Sequence, residues 1–241
     1  MYSNSRVVKV EAKPEPINVD IARTALFVID MQNDFASKGG LFDLAGIDIS
    51  MNQKTVESTK KVLATARQAG MKIIYTKMEY SADLADLGPF DSPNRTRHLA
   101  FSVGKTIKAP DGRPSRLLVK GTWNTEIIPE LAPMKEDAII SKRRYSAFFQ
   151  TDLDSVLKSR GVRYLVFTGC TTSVCVESTV RDAMFRDYSC ILLEDCCAEP
   201  IGFGLARSNH DASLLVIERL FGWVSNSEKF TKAVSKRNSG P

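Results

Sequence analysis

Three residues of this chain carry the chemistry that the rest must position: Cys175, Asp30 and Lys142. Cys175 lies in Gly169-Cys170-Thr171-Thr172-Ser173-Val174-Cys175-Val176-Glu177-Ser178-Thr179, which follows the apolar, β-branched run Tyr164-Leu165-Val166-Phe167-Thr168. Val176, Val180, Ala183 and Met184 then recur at helical spacing, with Arg181, Asp182, Arg186 and Asp187 on the other face. The stretch reads as a strand-to-helix turn, with Thr171, Thr172 and Ser173 as candidate N-caps and Cys175 in the first helical turn. Backbone N–H groups and the helix dipole at that position favour a thiolate, so a nucleophilic sulfur near neutral pH is expected. A buried, inert thiol is the competing reading of any lone cysteine.

Asp30 ends the short apolar run Ala25-Leu26-Phe27-Val28-Ile29, and Lys142 ends Asp137-Ala138-Ile139-Ile140-Ser141. Each fits the mouth of a strand buried on both faces. Residues 51–69 form an amphipathic helix ahead of a second strand, Lys72-Ile73-Ile74-Tyr75-Thr76, giving a βαβ unit and hence a parallel pair. From Glu79 to about Gly121 periodicity fails, and the segment reads as a lid or pocket wall, with His98 on its surface. A short helix is expected near Thr125 to Leu131, helices over 152–160 and 204–220, and strands at Ser189 to Leu193 and Phe221 to Ser225. The pattern predicts an α/β fold, a doubly wound three-layer α/β/α sandwich around a mostly parallel sheet, as one domain over 21–241 with an N-terminal arm over 1–20. Ligands of such sheets sit beyond the carboxyl ends of the strands, where Asp30, Lys142 and the Cys175 turn can converge. His98 and His210 lie away from these strand mouths, so Asp30 is the placed base and Lys142 the cation that would hold a thiolate and orient Asp30.

Composition is that of an ordinary globular protein, with 43% hydrophobic and 25% charged residues. No apolar run approaches the roughly 18 to 20 residues that span a bilayer, and the N-terminus lacks the apolar core of a signal peptide, so a cytoplasmic protein is expected, with no membrane partner. The net charge of +5 is spread along the chain and partly in Lys229, Lys232, Lys236 and Arg237, which read as solvated surface rather than a nucleic-acid footprint. Five cysteines without a CxxC pair, and two histidines, argue for reduced thiols, no metal site and no cofactor.

The blocks Val28-Ile29-Asp30-Met31-Gln32-Asn33-Asp34-Phe35, then Lys142 with Tyr145-Ser146-Ala147-Phe148, then Thr168 to Thr179 resemble the three signature blocks of the isochorismatase-like cysteine hydrolases. The resemblance runs from about residue 20 to about residue 230. It implies an Asp30, Lys142, Cys175 triad, a six-stranded parallel sheet, a non-proline cis peptide between Cys170 and Thr171, and an oxyanion hole from the backbone N–H groups of Thr171 and Cys175. The metal site of the nicotinamidases has no counterpart between Tyr75 and Leu87, and the isochorismatases proper lack the cysteine, so C–N hydrolysis is implied.

Within the family, Gly88-Pro89 with Ser92-Pro93-Asn94, Lys120-Gly121-Thr122-Trp123, Tyr145 to Phe149 and Phe221 to Ser225 look closest to ureidoacrylate amidohydrolases of pyrimidine breakdown. Leu193 to Cys197 and Ile127 to Leu131 are similar to biuret hydrolases. Tyr145 stands where the biuret branch has a second lysine, and Phe35 where the ureidoacrylate branch has an aromatic hydroxyl. A small ureide-type substrate is implied, cleaved through a thioester with release of ammonia. Biuret or an N-carbamoyl amino acid is the alternative substrate, and a metabolite-binding protein without catalysis the alternative class. Arg144 is the candidate clamp for a substrate carboxylate, its planar fork suiting bidentate pairing, and Phe35, Tyr145 and Trp123 are candidate pocket walls. A homo-oligomer, dimer or tetramer, is expected from the resemblance.

Overall fold

The computed structural model describes residues 6–202 and 204–235. Within the expected arm, β1 (Val7–Val10) and β2 (Ile17–Asp20) form an antiparallel hairpin. Its alternate residues Val8, Val10, Ile17 and Val19 are buried, a period of two that packs one face onto the domain.

The main chain of elements is then β3 (Thr24–Ile29), α1 (Asn33–Ala36), α2 (Leu41–Leu44), α3 (Ser50–Gln68) and β4 (Lys72–Met78). Next come α4 (Pro93–Ala100), the ribbon β5 (Thr106–Lys108) with β6 (Pro114–Arg116), β7 (Ala138–Lys142), α5 (Leu153–Ser159) and β8 (Tyr164–Cys170). The chain closes with α6 (Glu177–Met184), β9 (Ser189–Ala198), α7 (Asn209–Val216), β10 (Trp223–Ser225) and α8 (Ser227–Ser235). Six strands make one parallel sheet in the order β10, β9, β8, β3, β4, β7. Successive residues of its strands alternate between two cores. Leu26, Val28, Ile73, Tyr75 and Val166 pack with Val62, Leu63 and Ala66 of α3 on one face; Ala25, Phe27, Ile29, Ile74, Leu165 and Phe167 pack with Leu157 of α5 and Val180 and Ala183 of α6 on the other.

From β3 the sheet grows outward through β4 and β7, and on the other side through β8, β9 and β10. The direction of winding therefore reverses between β3 and β8, where a doubly wound sheet opens a crevice at its carboxyl edge. Asp30 and the Cys175 turn flank that crevice.

Several elements differ from expectation. β9 continues to Ala198 instead of stopping at Leu193, because the register against β8 shifts between Phe167 and Gly169 and pairing resumes at Gly169 with Cys197. The anticipated 204–220 helix is regular only over Asn209–Val216, and the 125–131 helix is two short 3-10 turns, Trp123–Thr125 and Pro129–Leu131. The segment after Glu79 contains α4, started by Pro93 with the Ser92 hydroxyl accepting from Arg95 N–H. Lys229 and Lys232 belong to α8, which buries Phe230, Ala233 and Val234; Lys236 and Arg237 lie outside the described residues. Among the described residues no helix is long and apolar enough to cross a membrane.

Asp34 pins the long segment to the sheet: its Oδ1 accepts from Leu41 N–H (2.9 Å) and Asn124 Nδ2 (2.5 Å), and its Oδ2 from Leu118 N–H (2.7 Å). Burial pushes its carboxyl up to about 7 against the pull of these donors. Since an unfolded aspartate titrates near 3.8, the folded state binds the extra proton between those two values. The stability this proton confers is whole below about pH 4 and lost as pH rises to about 7, at about 1.4 kcal/mol per pH unit. Urea unfolding of Asp34→Asn across that range is expected to show a flatter pH dependence than wild type; equal slopes would remove Asp34 from the balance.

Candidate active site

Asp30 is the first residue past β3 and holds φ at +51°, a left-handed conformation that is uncommon outside glycine though better tolerated by aspartate than by most residues. It is fixed there on both sides. Its N–H meets the Thr76 carbonyl at 3.3 Å, Gln32 N–H donates to its carbonyl at 2.7 Å, and the Thr76 hydroxyl donates to its Oδ1 at 2.6 Å. Thr76 is available because β3 and β4 run in register, with Ile29 opposite Thr76.

Lys142, the last residue of β7, comes from two strands away. Met78 lies opposite it on β4, and the lysine side chain crosses beside the Met78 sulfur (3.7 Å) to reach Asp30 Oδ2 at 2.6 Å. Its Nζ also donates to the Arg144 carbonyl (3.2 Å) and to Cys175 Sγ (3.3 Å). Burial alone would depress this ammonium, but the Asp30 carboxylate and the Cys175 sulfur outweigh burial and hold it above the ordinary lysine value.

Cys175 sits in a wide turn, Thr172–Val176, between β8 and α6. A cis peptide joins Cys170 to Thr171, and Val174 N–H and Val176 N–H both return to the Thr171 carbonyl, at 3.0 and 3.2 Å. Gly169 precedes them at φ +117°, and a Cβ there would fall 2.1 Å from the Ile29 carbonyl, so only glycine lets β8 pass this close to β3. The turn is braced from behind. Ser173 N–H donates to Glu199 Oε2 (2.6 Å), and Thr172 Oγ1 lies 3.0 Å from His210 Nδ1. His210, expected to be remote, is thus against the nucleophile turn, because the extended β9 carries the chain back over it.

The sulfur differs from expectation in one respect. Burial pushes the Cys175 thiol up to about 12; Lys142 pulls it down, but Asp30 opposes that pull. The lysine and aspartate already neutralise each other, so a resting thiolate would leave an unbalanced negative charge in a site of low polarity. The dipole of one short helix does not overcome this. The other four cysteines are likewise buried and unpaired.

Tyr145 lies beside this centre: burial pushes its hydroxyl up and the Lys142 ammonium pulls it down, while 40% of its surface faces solvent. Arg144 lies alongside, its Nη1 donating to the Asp86 carbonyl at 3.2 Å and its guanidinium over the Phe149 ring. Phe35 is not brought to Cys175; it stacks edge-on against Phe42 at 4.9 Å in the core on the opposite face of the sheet. Trp123 occupies the 3-10 turn after the ribbon, half-buried, its carbonyl accepting from Asn33 Nδ2 at 2.8 Å. His98, expected at the surface, is buried, with its ring between those of Tyr80 and Tyr145. Thr76, His98 and His210 gave no signal in the sequence because nothing local marks a side chain that acts across the sheet.

Comparison with known proteins follows the same lines. A family model described as the isochorismatase domain matches residues 24–229. The chain is similar to the ureidoacrylate amidohydrolase RutB of Klebsiella pneumoniae subsp. pneumoniae, 41% identical over 229 residues, covering 95% of this chain and 94% of that protein. It is similar also to the ureidoacrylate amidohydrolase RutB of Acinetobacter baylyi, 42% identical over 227 residues, with 93% and 88% covered. Among solved structures, a cysteine hydrolase from Pseudomonas syringae pv. phaseolicola superposes with a TM-score of 0.76 at 28% identity, covering 96% of this chain and 98% of that one.

Removing Lys142 leaves Asp30 as an unpaired buried charge, so Lys142→Met is expected to lower stability by about 3–5 kcal/mol in urea unfolding. Asp30→Asn combined with Lys142→Met should recover most of that loss. In both variants, alkylation of Cys175 by iodoacetamide should slow at least tenfold, by peptide mass mapping. A single variant that matches wild type in both measurements would show the pair to be incidental.

Proposed function

The chain belongs to the isochorismatase domain family, and from that footing we propose that it is an amidohydrolase acting on the terminal C–N bond of ureidoacrylate, a hydrolase of linear amides. The observation that carries the reading is the contact of Lys142 Nζ with both Asp30 Oδ2 and Cys175 Sγ, inside a chain 41% identical to named ureidoacrylate amidohydrolases.

With the thiol protonated at rest, the nucleophile forms only as it attacks. Asp30 takes the Cys175 proton while the sulfur adds to the terminal carbamoyl carbon, and Lys142 stays charged to balance the negative charge passing from carboxylate to sulfur to substrate oxygen. The carbonyl oxygen becomes an oxyanion, for which the N–H groups of Thr171 and Cys175 are the proposed donors. The turn's bracing bonds use the N–H groups of Ser173, Val174 and Val176 instead. Collapse of the tetrahedral adduct breaks the C–N bond, and Asp30 returns its proton to the departing nitrogen, which leaves as ammonia. Asp30 then deprotonates water for attack on the thioester, releasing the free thiol and a carbamate that decomposes to carbon dioxide and an amine. Arg144 is the proposed clamp for the acrylate carboxylate, and Tyr145 the wall against which the ureido plane rests.

A homo-oligomer is part of the same reading. Phe185, just past α6, Leu215 on α7 and Leu220 in the turn that follows are large apolar side chains each more than half exposed, which supports that reading.

Ammonia release should be measured with ureidoacrylate, biuret, an N-carbamoyl amino acid and nicotinamide. Wild type is expected to favour ureidoacrylate, and Cys175→Ser and Asp30→Asn to lose at least a thousandfold in kcat. Faster turnover of biuret would move the substrate assignment. Undiminished activity in Cys175→Ser would end the covalent mechanism.

A further inference from the structure

The reaction as described makes no use of His98, yet α4 sets this residue against Tyr145 and within reach of the Lys142 and Arg144 charges. It is 8% exposed, and its Nδ1 lies 2.6 Å from the Asn94 carbonyl oxygen. A carbonyl can only accept, so Nδ1 carries the hydrogen and the tautomer is fixed. The ring is held edge-on against Tyr80 (centroids 5.3 Å apart, 74° between planes) and tilted against Tyr145 (5.8 Å, 32°). Asn94 is itself anchored, its Nδ2 donating to the Leu87 carbonyl at 2.9 Å and to the Tyr80 hydroxyl at 3.2 Å. In the neutral ring Nε2 is then a bare lone pair, and among the described residues it meets no protein donor.

The charges around it keep the ring neutral. Burial disfavours the imidazolium, the Asn94 carbonyl favours it, and Arg144 and Lys142 again disfavour it. The remaining titratable groups facing it are the Tyr80 and Tyr145 hydroxyls, with Arg97 of its own helix beside Tyr145. Lys142 and Arg144 can only donate and the two phenols both donate and accept, the Tyr80 hydroxyl being already engaged by Asn94 and the Arg143 carbonyl, whereas His98 Nε2 offers a lone pair and no hydrogen.

We propose that His98 Nε2 accepts the N–H of the substrate's internal ureido nitrogen, the nitrogen that stays with the acyl fragment, and so sets the specificity of the site for ureides over esters and tertiary amides. This rests on the ureide reading above. A substrate with an ether oxygen or an N-methyl group at that atom would set a lone pair or a methyl group against Nε2, and a buried acceptor left unpaired discriminates strongly. Tyr145 and Arg144, neighbours of His98, act on the same substrate, the one by packing and the other by charge. His98 is therefore a specificity residue, and proton transfer stays with Asp30.

Steady-state kinetics of wild type, His98→Phe and His98→Gln on ureidoacrylate and on its O-carbamoyl analogue test this. His98→Phe keeps the ring and loses the acceptor, so its KM for the ureide should rise at least tenfold with kcat within about threefold, and its preference for ureide over carbamate should collapse. His98→Gln keeps a carbonyl acceptor and should recover part of the KM. Protonation of His98 should also give wild type an acid limb in kcat/KM that both variants lack. With two histidines in the chain, 15N NMR resolves His98 directly. An unprotonated Nε2 at pH 7.5, shifting when Cys175→Ser is saturated with ureidoacrylate, supports the assignment whether or not the Phe variant folds. A protonated Nε2, or one indifferent to the ligand, overturns it, as does an unchanged KM in His98→Phe. Wild type inactive on every ureide would instead overturn the substrate reading on which the proposal stands.

Discussion

The Asp30–Lys142 ion pair is the constraint on which the site depends. Both side chains are fully buried, Nζ to Oδ2 is 2.6 Å, and among the described residues each forms its ion pair with the other. Moving two such charges out of water costs several kcal/mol apiece, and their attraction repays it only with good geometry and further hydrogen bonds. Thr76 supplies one of these to Asp30, and the Arg144 carbonyl supplies an acceptor to Lys142. A buried pair is weak support for a fold but a strong requirement on it: β3, β4 and β7 must keep register for the two ends to meet over Met78. The same pair bears on the sulfur. A lone lysine would favour a thiolate more than a lysine already matched by a carboxylate does, and burial pushes the Cys175 thiol up to about 12.

Everything around the pair serves to bring backbones closer than side chains would allow. Winding reverses between β3 and β8, and at that junction Gly169 lies against the Ile29 carbonyl while the Cys170 thiol reaches the Asp30 carbonyl at 3.4 Å. Strain at Asp30 is of order 1–3 kcal/mol, the cost of a left-handed backbone at a residue other than glycine, held in place by the hydrogen bonds to Thr76 and Gln32. Glu199 and His210 hold the nucleophile turn from its far side. The turn is therefore clamped between the sheet and the connection that follows β9.

The three central residues were legible because each is a polar residue directly after an apolar run, and in a parallel sheet every such run ends on the same edge. That inference needs only period and connectivity. What was not legible depends on contacts across the chain. Two acids, Glu194-Asp195, end the apolar pattern of β9, whereas the register shift between Phe167 and Gly169 on β8 lets the strand resume beyond them. The lysines of α8 mask its helical signal, although Phe230, Ala233 and Val234 are spaced as one buried stripe. Resemblance puts Phe35 in the pocket, but it lies in the core, paired with Phe42, a partner seven residues on that no local rule selects.

The segment between β4 and β7 shows why loss of periodicity and presence of function coincide here. Its elements are too short to be fixed by a hydrophobic stripe, so they are fixed by polar anchors: Asp34 to Leu118 and Asn124, Asn94 to Tyr80 and Leu87, and Asp86 to Ser81 and Arg143. Polar anchors are directional, and they hold a few side chains at set angles where a hydrophobic contact would leave them to slide. A sheet edge can present an ion pair and a thiol to any small amide. Choosing among amides needs a wall whose donors and acceptors are individually aimed, and a segment built on hydrogen bonds can change one of them without disturbing the core beneath.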